Sequence, residues 1–335
     1  MSKKIAFFTP YFKSNRGNAT TTKRIVHGLN QAGIETFVVP YLEEKWTEEK
    51  EMKVLECDIY HILHLYRFAK WNMCRELPLS KPYILTSGGT DINHDLGNPA
   101  QLAEMDKMIH LASAITVFTK DGQEKVKAIY PEKEIRIIPQ SVWFEDFDEP
   151  LSFTLPTKKP VLFLPAGIRS VKDPLYVWEA IKELKKKFTD LQFIIAGVVI
   201  EKDLHHQVMD ICQQYNWVHF LEDIPFHQMN MLYKHADLTI NTSISEGQPV
   251  AIMEAMYNFC PVLVRENEGN LSIVTHEKTG LVFSDSTSFF EMATKVLTDE
   301  ELATKITLQA KNYIMQHHSL EKEIQQYIDL YNTYL

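Results

Sequence analysis

The chain has only four cysteines, Cys57, Cys74, Cys212 and Cys260, and none forms a C-x-x-C pair. Cys57 and Cys260 stand among apolar neighbours and read as core thiols. No G-x-G-x-x-G is present, so a dinucleotide cofactor is not signalled. Positive charge is not in excess. The formal net charge is −9, with 19 basic and 21 acidic residues in 1–150 and 16 and 23 in the remainder. Neither half is basic, which disfavours a nucleic-acid partner and gives no general drive toward anionic lipid. Lys185-Lys186-Lys187 is the one basic run and reads as the solvated end of a helix. No apolar run is long enough to span a bilayer. Ile5-Ala6-Phe7-Phe8 is too short for a secretory signal, so a cytoplasmic protein without membrane association is expected. The oligomeric state is left open.

Thirteen histidines invite a metal site. His205-His206 and His317-His318 are adjacent pairs, however, and do not share a helix face as i,i+4 ligands would. They read as exposed, and no metal or cofactor is expected.

The 335 residues, 45% hydrophobic and 24% charged, suit two globular domains or one large one. Strand and helix patterns alternate from the start. Lys4–Thr9 reads as a strand, 16–20 as a turn, 21–32 as an amphipathic helix and 35–39 as the next strand. Further strands are expected at 58–64, 83–86, 114–118 and 135–138. Residues 145–160 are acidic and punctuated by Pro150, Pro156 and Pro160, as an interdomain linker would be. Beyond them the alternation restarts, with strands at 161–165, 192–196, 218–221 and 236–240 and a final amphipathic helix at 320–335. The expected domains are 1–150 and 151–317, with 318–335 returning to the first.

The most informative stretch is Asn241–Met256, N-T-S-I-S-E-G-Q-P-V-A-I-M-E-A-M. A short apolar strand leads into Ser245-Glu246-Gly247-Gln248. Pro249 then suits a first helical position, and Val250 begins an apolar helix interrupted by Glu254. Such a turn leaves backbone N–H groups at the helix start, which attract anions. Seven residues separate Glu246 from Glu254. A ligand carrying phosphates and hydroxyls, such as a nucleotide-sugar, matches this layout. A capping Glu246 with a solvent-facing Glu254 fits the spacing equally well.

Arg169 and Lys172 share one short loop at a strand end, where fixed positive charge suits a diphosphate; a surface pair is the alternative. In the first half, Gly17-Asn18, the run Ser87-Gly88-Gly89-Thr90-Asp91, and Gln140-Ser141 all stand at strand ends, where ligands bind in such sheets. A flexible turn at Gly17 and a helix-capping Asp91 are the plainer readings.

The run E-G-Q-P-V-A-I-M-E-A-M resembles the glutamate-x7-glutamate motif of the family-four retaining glycosyltransferases. The resemblance covers nearly the whole chain. With G-N-x-T at Gly17, G-G-T-D at Gly88 and R-x-V-K-D-P at Arg169, the pattern is similar to the animal "glycosyltransferase one domain-containing" proteins and to bacterial selenosugar synthases. It implies an α/β GT-B fold, two Rossmann-like doubly wound domains facing a cleft, with the nucleotide-sugar held by the C-terminal one. It places Glu246 against the donor sugar, Glu254 on the ribose hydroxyls and the Gly167–Lys172 loop on the phosphates. Gly247, Gln248, Pro249, Val250 and Leu221 join the donor side. Gly17 and Asn18 approach donor and acceptor, while Gly89, Thr90, Gln140 and Ser141 line the acceptor side. Many members carry His where Gly88 stands, so that role is vacant here or passes to Asp91.

The expected activity is therefore retaining transfer of a sugar, UDP-linked, to a small soluble acceptor without metal. Arg169, Lys172 and the N–H groups near Gln248 would stabilise the leaving diphosphate. A nucleotide-sugar 2-epimerase on the same fold and a non-catalytic nucleotide-sugar binding protein remain as alternatives.

Overall fold

A computed structural model describes residues 3–75, 77–145 and 150–335. The chain divides into two units. One runs through Ser141 and takes up the chain again at Leu320–Leu335; the other is Val142–Ser319.

The first unit is built on Lys4–Thr9 (β1), Glu35–Pro40 (β2), Ile59–Leu63 (β3), Tyr83–Thr86 (β4), Ala114–Val117 (β5) and Ile135–Ile137 (β6). They form one sheet in the order β2-β1-β3-β4-β5-β6. Every pairing is parallel. Parallel strands covered on both faces need continuous apolar runs, and Ile5-Ala6-Phe7-Phe8 is buried throughout. Chain direction across the sheet reverses between β1 and β3, which makes the ends of those two strands a topological switch point.

The second unit holds Val161–Pro165 (β7), Gln192–Gly197 (β8), Val218–Glu222 (β9), Leu238–Asn241 (β10), Val262–Arg265 (β11) and Leu281–Phe283 (β12). Their order is β12-β11-β10-β7-β8-β9, again all parallel. This is the order of a dinucleotide-fold sheet, and its switch point lies between β7 and β10.

Three local expectations are corrected. Gly17 and Asn18 are not in a turn: the helix begins at Gly17 and runs to Gln31, because Arg16 is already extended as its N-cap and its carbonyl accepts from Thr20 N–H at 3.1 Å. The sequence pattern also places a helix over 175–187, and it starts at Trp178. The change of unit falls at Ser141/Val142, ahead of the acidic stretch. Val142, Phe144, Phe153 and Leu155 all pack on the second unit's core, and Trp143 stacks on Phe226 at 5.4 Å. Part of the expected linker, 146–149, lies outside the described residues.

The final helix, Leu320–Tyr334, belongs to the first unit. Ile324, Tyr327, Leu330 and Tyr331 complete a core with Ile5, Phe7 and Ile25. Gly28 lets the two helices approach, since a Cβ there would stand 2.3 Å from Ile324 Cγ1. At that crossing Arg24 Nε and Nη2 donate to the two oxygens of Glu323 at 2.8 and 3.0 Å, both side chains fully buried. Among the described residues no helix is long and apolar enough to cross a membrane.

Candidate active site

At the switch point of the second sheet, two loops leave the carboxyl ends of adjacent strands: 166–173 after β7 and 242–249 after β10. Gly197 makes room for the first, because a Cβ there would meet the Ala166 carbonyl oxygen at 2.3 Å. The loop then turns through a short 3-10 helix, Ser170–Lys172, with Asp173 in the left-handed region at φ 43°. The two loops are stitched together. Ile244 N–H donates to the Val171 carbonyl at 2.9 Å, and Thr242 Oγ1 donates to the Lys172 carbonyl at 2.9 Å. Arg265 Nη1 holds Asp173 Oδ2 at 2.9 Å and lies over the Tyr176 ring at 3.6 Å.

Glu246 is the centre of this arrangement. Its Oε1 accepts from Lys172 Nζ at 2.6 Å, Ser243 Oγ at 2.6 Å and Asn241 Nδ2 at 3.0 Å. Burial pushes its pKa up, but the charge of Lys172 and the hydrogen bonds from Lys172, Ser243 and Asn241 together outweigh it. The carboxyl is held below its ordinary value and stays ionised. Gly269 presses on the same residue: a Cβ at 269 would stand 2.4 Å from the Glu246 carbonyl oxygen and 2.5 Å from its Cβ. Asn270, fully buried, donates from Nδ2 to Asn241 Oδ1 at 3.1 Å and to the Arg265 carbonyl at 2.7 Å. Asn267 Nδ2 reaches the Ser243 carbonyl at 2.9 Å.

Glu254 is 5% exposed, so it is not a solvent-facing helix residue. Tyr233 O–H donates to its Oε2 at 2.7 Å. Burial, then the Glu254 charge and that hydrogen bond, raise the Tyr233 phenol well above its usual value, so it remains a donor. The helix Val250–Tyr257 follows Pro249, has no side-chain cap, and the Pro249 carbonyl accepts from Ile252 and Met253 at 3.0 and 3.1 Å. Gly247 and Val250 are half-buried, while Gln248 and Pro249 are buried. Arg169 opens the 3-10 turn in extended conformation. Beside it, hydrogen bonds from Ser170 and, more weakly, the Arg169 charge hold Glu201 below its ordinary pKa. Leu221 stands apart. It pairs with Ala196 on the edge strand β9, three strand spacings or about 14 Å from β10.

The first-unit candidates divide differently. Asp91 is 1% exposed. Its carboxylate accepts from Ser87 Oγ at 2.9 Å and from the N–H groups of Leu65, Gly88 and Ile92 at 2.9 to 3.0 Å. That geometry makes Asp91 the anchor of its loop and does not present the carboxylate to a ligand, as its assignment among reacting groups had required. Gln140 and Ser141 are 4% and 0% exposed. Gln140 Oε1 accepts from Arg24 Nη2 at 3.1 Å and Thr21 Oγ1 at 3.0 Å, and Ser141 N–H donates to Glu323 at 3.0 Å. These groups clasp the last helix instead of lining an acceptor site. Gly89, at φ 95°, and Thr90 remain half-buried at the end of β4. Gly17 has open space where a side chain would stand.

Sequence reasoning missed Asn241, Ser243 and Tyr233 as hydrogen-bond partners of the two glutamates, Gly269 as the residue packed on Glu246, and Asn270 as the partner of Asn241. Asn241 and Ser243 stood within the motif itself. Nothing in the sequence tied Tyr233 or the 265–270 loop to it. Among the described residues no group of three or more His, Cys, Asp or Glu is placed to hold a metal ion.

Two doubly wound parallel sheets, the second with an acid–lysine cluster at its switch point, define a GT-B glycosyltransferase fold. Residues 146–313 match the family described as glycosyl transferases group 1, and the chain belongs to that family. It is 29% identical over 331 residues to glycosyltransferase 1 domain-containing protein 1 of Xenopus tropicalis, covering 94% of each chain. It is also 23% identical over 316 residues to an uncharacterized glycosyltransferase of Methanocaldococcus jannaschii, covering 84% of this chain and 78% of that one. In fold it is similar to Anabaena HepE in complex with UDP and glucose, with TM-score 0.76 and 16% identity over 99% of this chain and 100% of that one. A sucrose-phosphate synthase from Thermosynechococcus elongatus gives TM-score 0.75 and 14% identity over 99% and 98%. The chain is a glycosyltransferase.

Proposed function

We propose that this enzyme transfers a sugar from a UDP-linked donor to a small soluble acceptor, with retention of anomeric configuration and without a metal ion. The observation that carries the reading is the Lys172–Glu246 pair at the β7/β10 switch point, with Glu254 buried in the helix that follows. Crystal structures of Anabaena HepE with UDP-glucose and with UDP show a protein of this fold holding such a donor, which supports the choice of base.

Breaking the bond from the anomeric carbon to the phosphate oxygen builds positive charge on the sugar and negative charge on the departing diphosphate. Fixed donors aimed at the growing negative charge lower the barrier. In this reading Arg169, Lys172 and the N–H groups at the start of Val250–Tyr257 meet the diphosphate, and Glu246, kept ionised by its partners, faces the sugar. Glu254, steadied by Tyr233, receives the ribose hydroxyls. The acceptor attacks on the face the diphosphate leaves, and its proton departs with the leaving phosphate. One Asp-x-Asp spacing, Asp146-Phe147-Asp148, is present in the acidic stretch and lies outside the described residues.

A thermal-shift screen of nucleotide-sugars identifies the donor, since a ligand of the native state raises its stability. Transfer measured with and without EDTA then tests the rest. Undiminished rate in chelator and a product anomer matching the donor are expected. Loss of transfer in EDTA with recovery in magnesium would overturn the metal-free reading and direct attention to Asp146 and Asp148. Conversion of the donor alone into an epimer would replace transfer as the reaction.

A further inference from the structure

The first sheet has its own switch point at the ends of β1 and β3, the position at which open parallel sheets generally take ligands. The chain leaving β1 carries Tyr11 and Arg16, and the helix after β3, Leu65–Met73, carries Arg67. Both arginines converge on one ring. The guanidinium carbon of Arg16 lies 4.4 Å from the centre of Tyr11 and that of Arg67 5.6 Å from it. All three side chains are half-buried.

Two like charges gathered on one ring repel each other and ask for a counter-ion. Lys50, Lys125 and the buried Arg24 of this unit have one, from Glu44 at 2.7 Å, Asp121 at 2.6 Å and Glu323 at 2.8 Å, whereas among the described residues the half-buried Lys23, Lys81 and Lys133 have no carboxylate within 4.0 Å. Among the described residues neither Arg16 nor Arg67 has a carboxylate within 4.0 Å. The acid that Arg67 does influence is Asp95. Burial, and then the Asp91 charge, raise its pKa to about 6, so it is mostly ionised at neutral pH, but it does not come within 4.0 Å of the Arg67 guanidinium. An arginine lying over an aromatic face keeps the N–H groups at its edge for an anion. Beside the pair begins the 15-residue helix Gly17–Gln31, with no capping side chain and no acidic residue in its first turn, so its free end adds positive potential of the same sign.

We infer that Arg16, Arg67 and the Tyr11 ring between them form an oxyanion-binding site, and that the acceptor of this glycosyltransferase carries a phosphate or carboxylate group which that site holds. The acceptor's identity rests on the proposed transfer reaction; the anion site does not. The site recognises the group by charge and by the planar forks of the two guanidiniums. A neutral polyol of similar size lacks the feature that it selects.

Binding to the full chain, measured by calorimetry in the presence of saturating UDP, separates this site from any held by a nucleotide diphosphate. Glycerol 3-phosphate, lactate and glycerol serve as the phosphate, carboxylate and neutral probes. Glycerol 3-phosphate or lactate should bind at least tenfold more tightly than glycerol, and the stronger of the two names the anion class. R16Q and R67Q should each weaken that binding at least tenfold and leave UDP affinity unchanged, with R16K and R67K intermediate because charge survives without the fork. Melting curves of the variants check folding, and the Lys variants carry the comparison if a Gln variant is unstable. Equal binding of all three probes, or a loss of UDP affinity in the Arg variants as large as the loss of the anionic probe, would overturn the inference. Absence of UDP binding in the wild type would count against the proposed donor and leave the anionic probe's result standing.

Discussion

The ring of His64 occupies the space that a side chain at Gly88 would need: a Cβ at position 88 would stand 2.7 Å from His64 Cδ2 and 3.0 Å from Cγ. His64 reaches this place from a left-handed backbone, φ 73°, just after β3, and its Nε2 lies 3.1 Å from Thr90 Oγ1. A side chain at 88 and the observed His64 ring therefore compete for the same space. G88A should cost about 1–3 kcal/mol of stability through overpacking. The cost should shrink in an H64A background, where the ring is gone. Urea melts of the two single variants and the double variant check this, and strictly additive effects would show that ring and glycine are not coupled.

Lys172 and Glu246 set each other's charge state. K172A and R169A should slow transfer at saturating donor by about 100- to 1,000-fold, the usual effect of losing one electrostatic contact to a developing charge. K172A should also leave a marker in pH. The Glu246 pKa is lowered in the folded protein, so its contribution to stability is present above the unfolded value and is lost as pH falls through the folded one. Without Lys172 the burial that raises the pKa is less opposed, and the acid limb of the stability profile should move to higher pH. Melting temperatures between pH 3 and 7 for wild type and K172A report it; superimposable acid limbs would remove Lys172 as the controlling charge.

Glu254 and Tyr233 make the test of the nucleotide end. E254A should weaken UDP binding by about 1.5–3 kcal/mol, the net value of a hydrogen bond to a charged group, and E254Q by less. Y233F removes only the donor that steadies the carboxylate at 2.7 Å and should fall between wild type and E254A. Titration calorimetry with UDP measures all three. Affinities equal to wild type would take Glu254 out of the donor site.

Much of this was legible in the sequence where one local pattern governs. β1, β4 and β7 occupy the bounds their apolar runs suggested, because a strand buried on both faces has little other signature. Glu246 and Glu254 were legible because strand, turn, proline and helix are contiguous. What the sequence hid was pairing over distance. Gln140 and Ser141 read as ligand groups at a strand end, yet Arg24 and Glu323, 299 positions apart, meet there and bury them. Asp91 faces inward because Leu65 and Gly88 both aim N–H groups at it. Lys172 read as a cation awaiting a phosphate, and nothing in either loop alone showed that it holds Glu246.

The last helix should confer an acid sensitivity on the first unit. His61, fully buried on β3, sits between two hydroxyls: Nδ1 is 2.5 Å from Tyr331 Oη on that helix and Nε2 is 2.6 Å from Thr86 Oγ1. Burial pushes its pKa down to about 3. The unfolded chain takes up this proton near 6.5, so between those values the unfolded state binds more protons than the folded one. Stability from this group is therefore complete above about pH 6.5 and declines as pH falls toward 3, by up to about 5 kcal/mol. H61Q cannot charge. It should be less stable than wild type at pH 7.5 by about 1–3 kcal/mol, because one of the two buried hydroxyls loses its partner, and its stability should fall less steeply on acidification. The measurement is urea unfolding at intervals between pH 7.5 and 4 for both proteins. The two curves should converge toward acid; curves that stay parallel would mean that some other group carries the acid sensitivity.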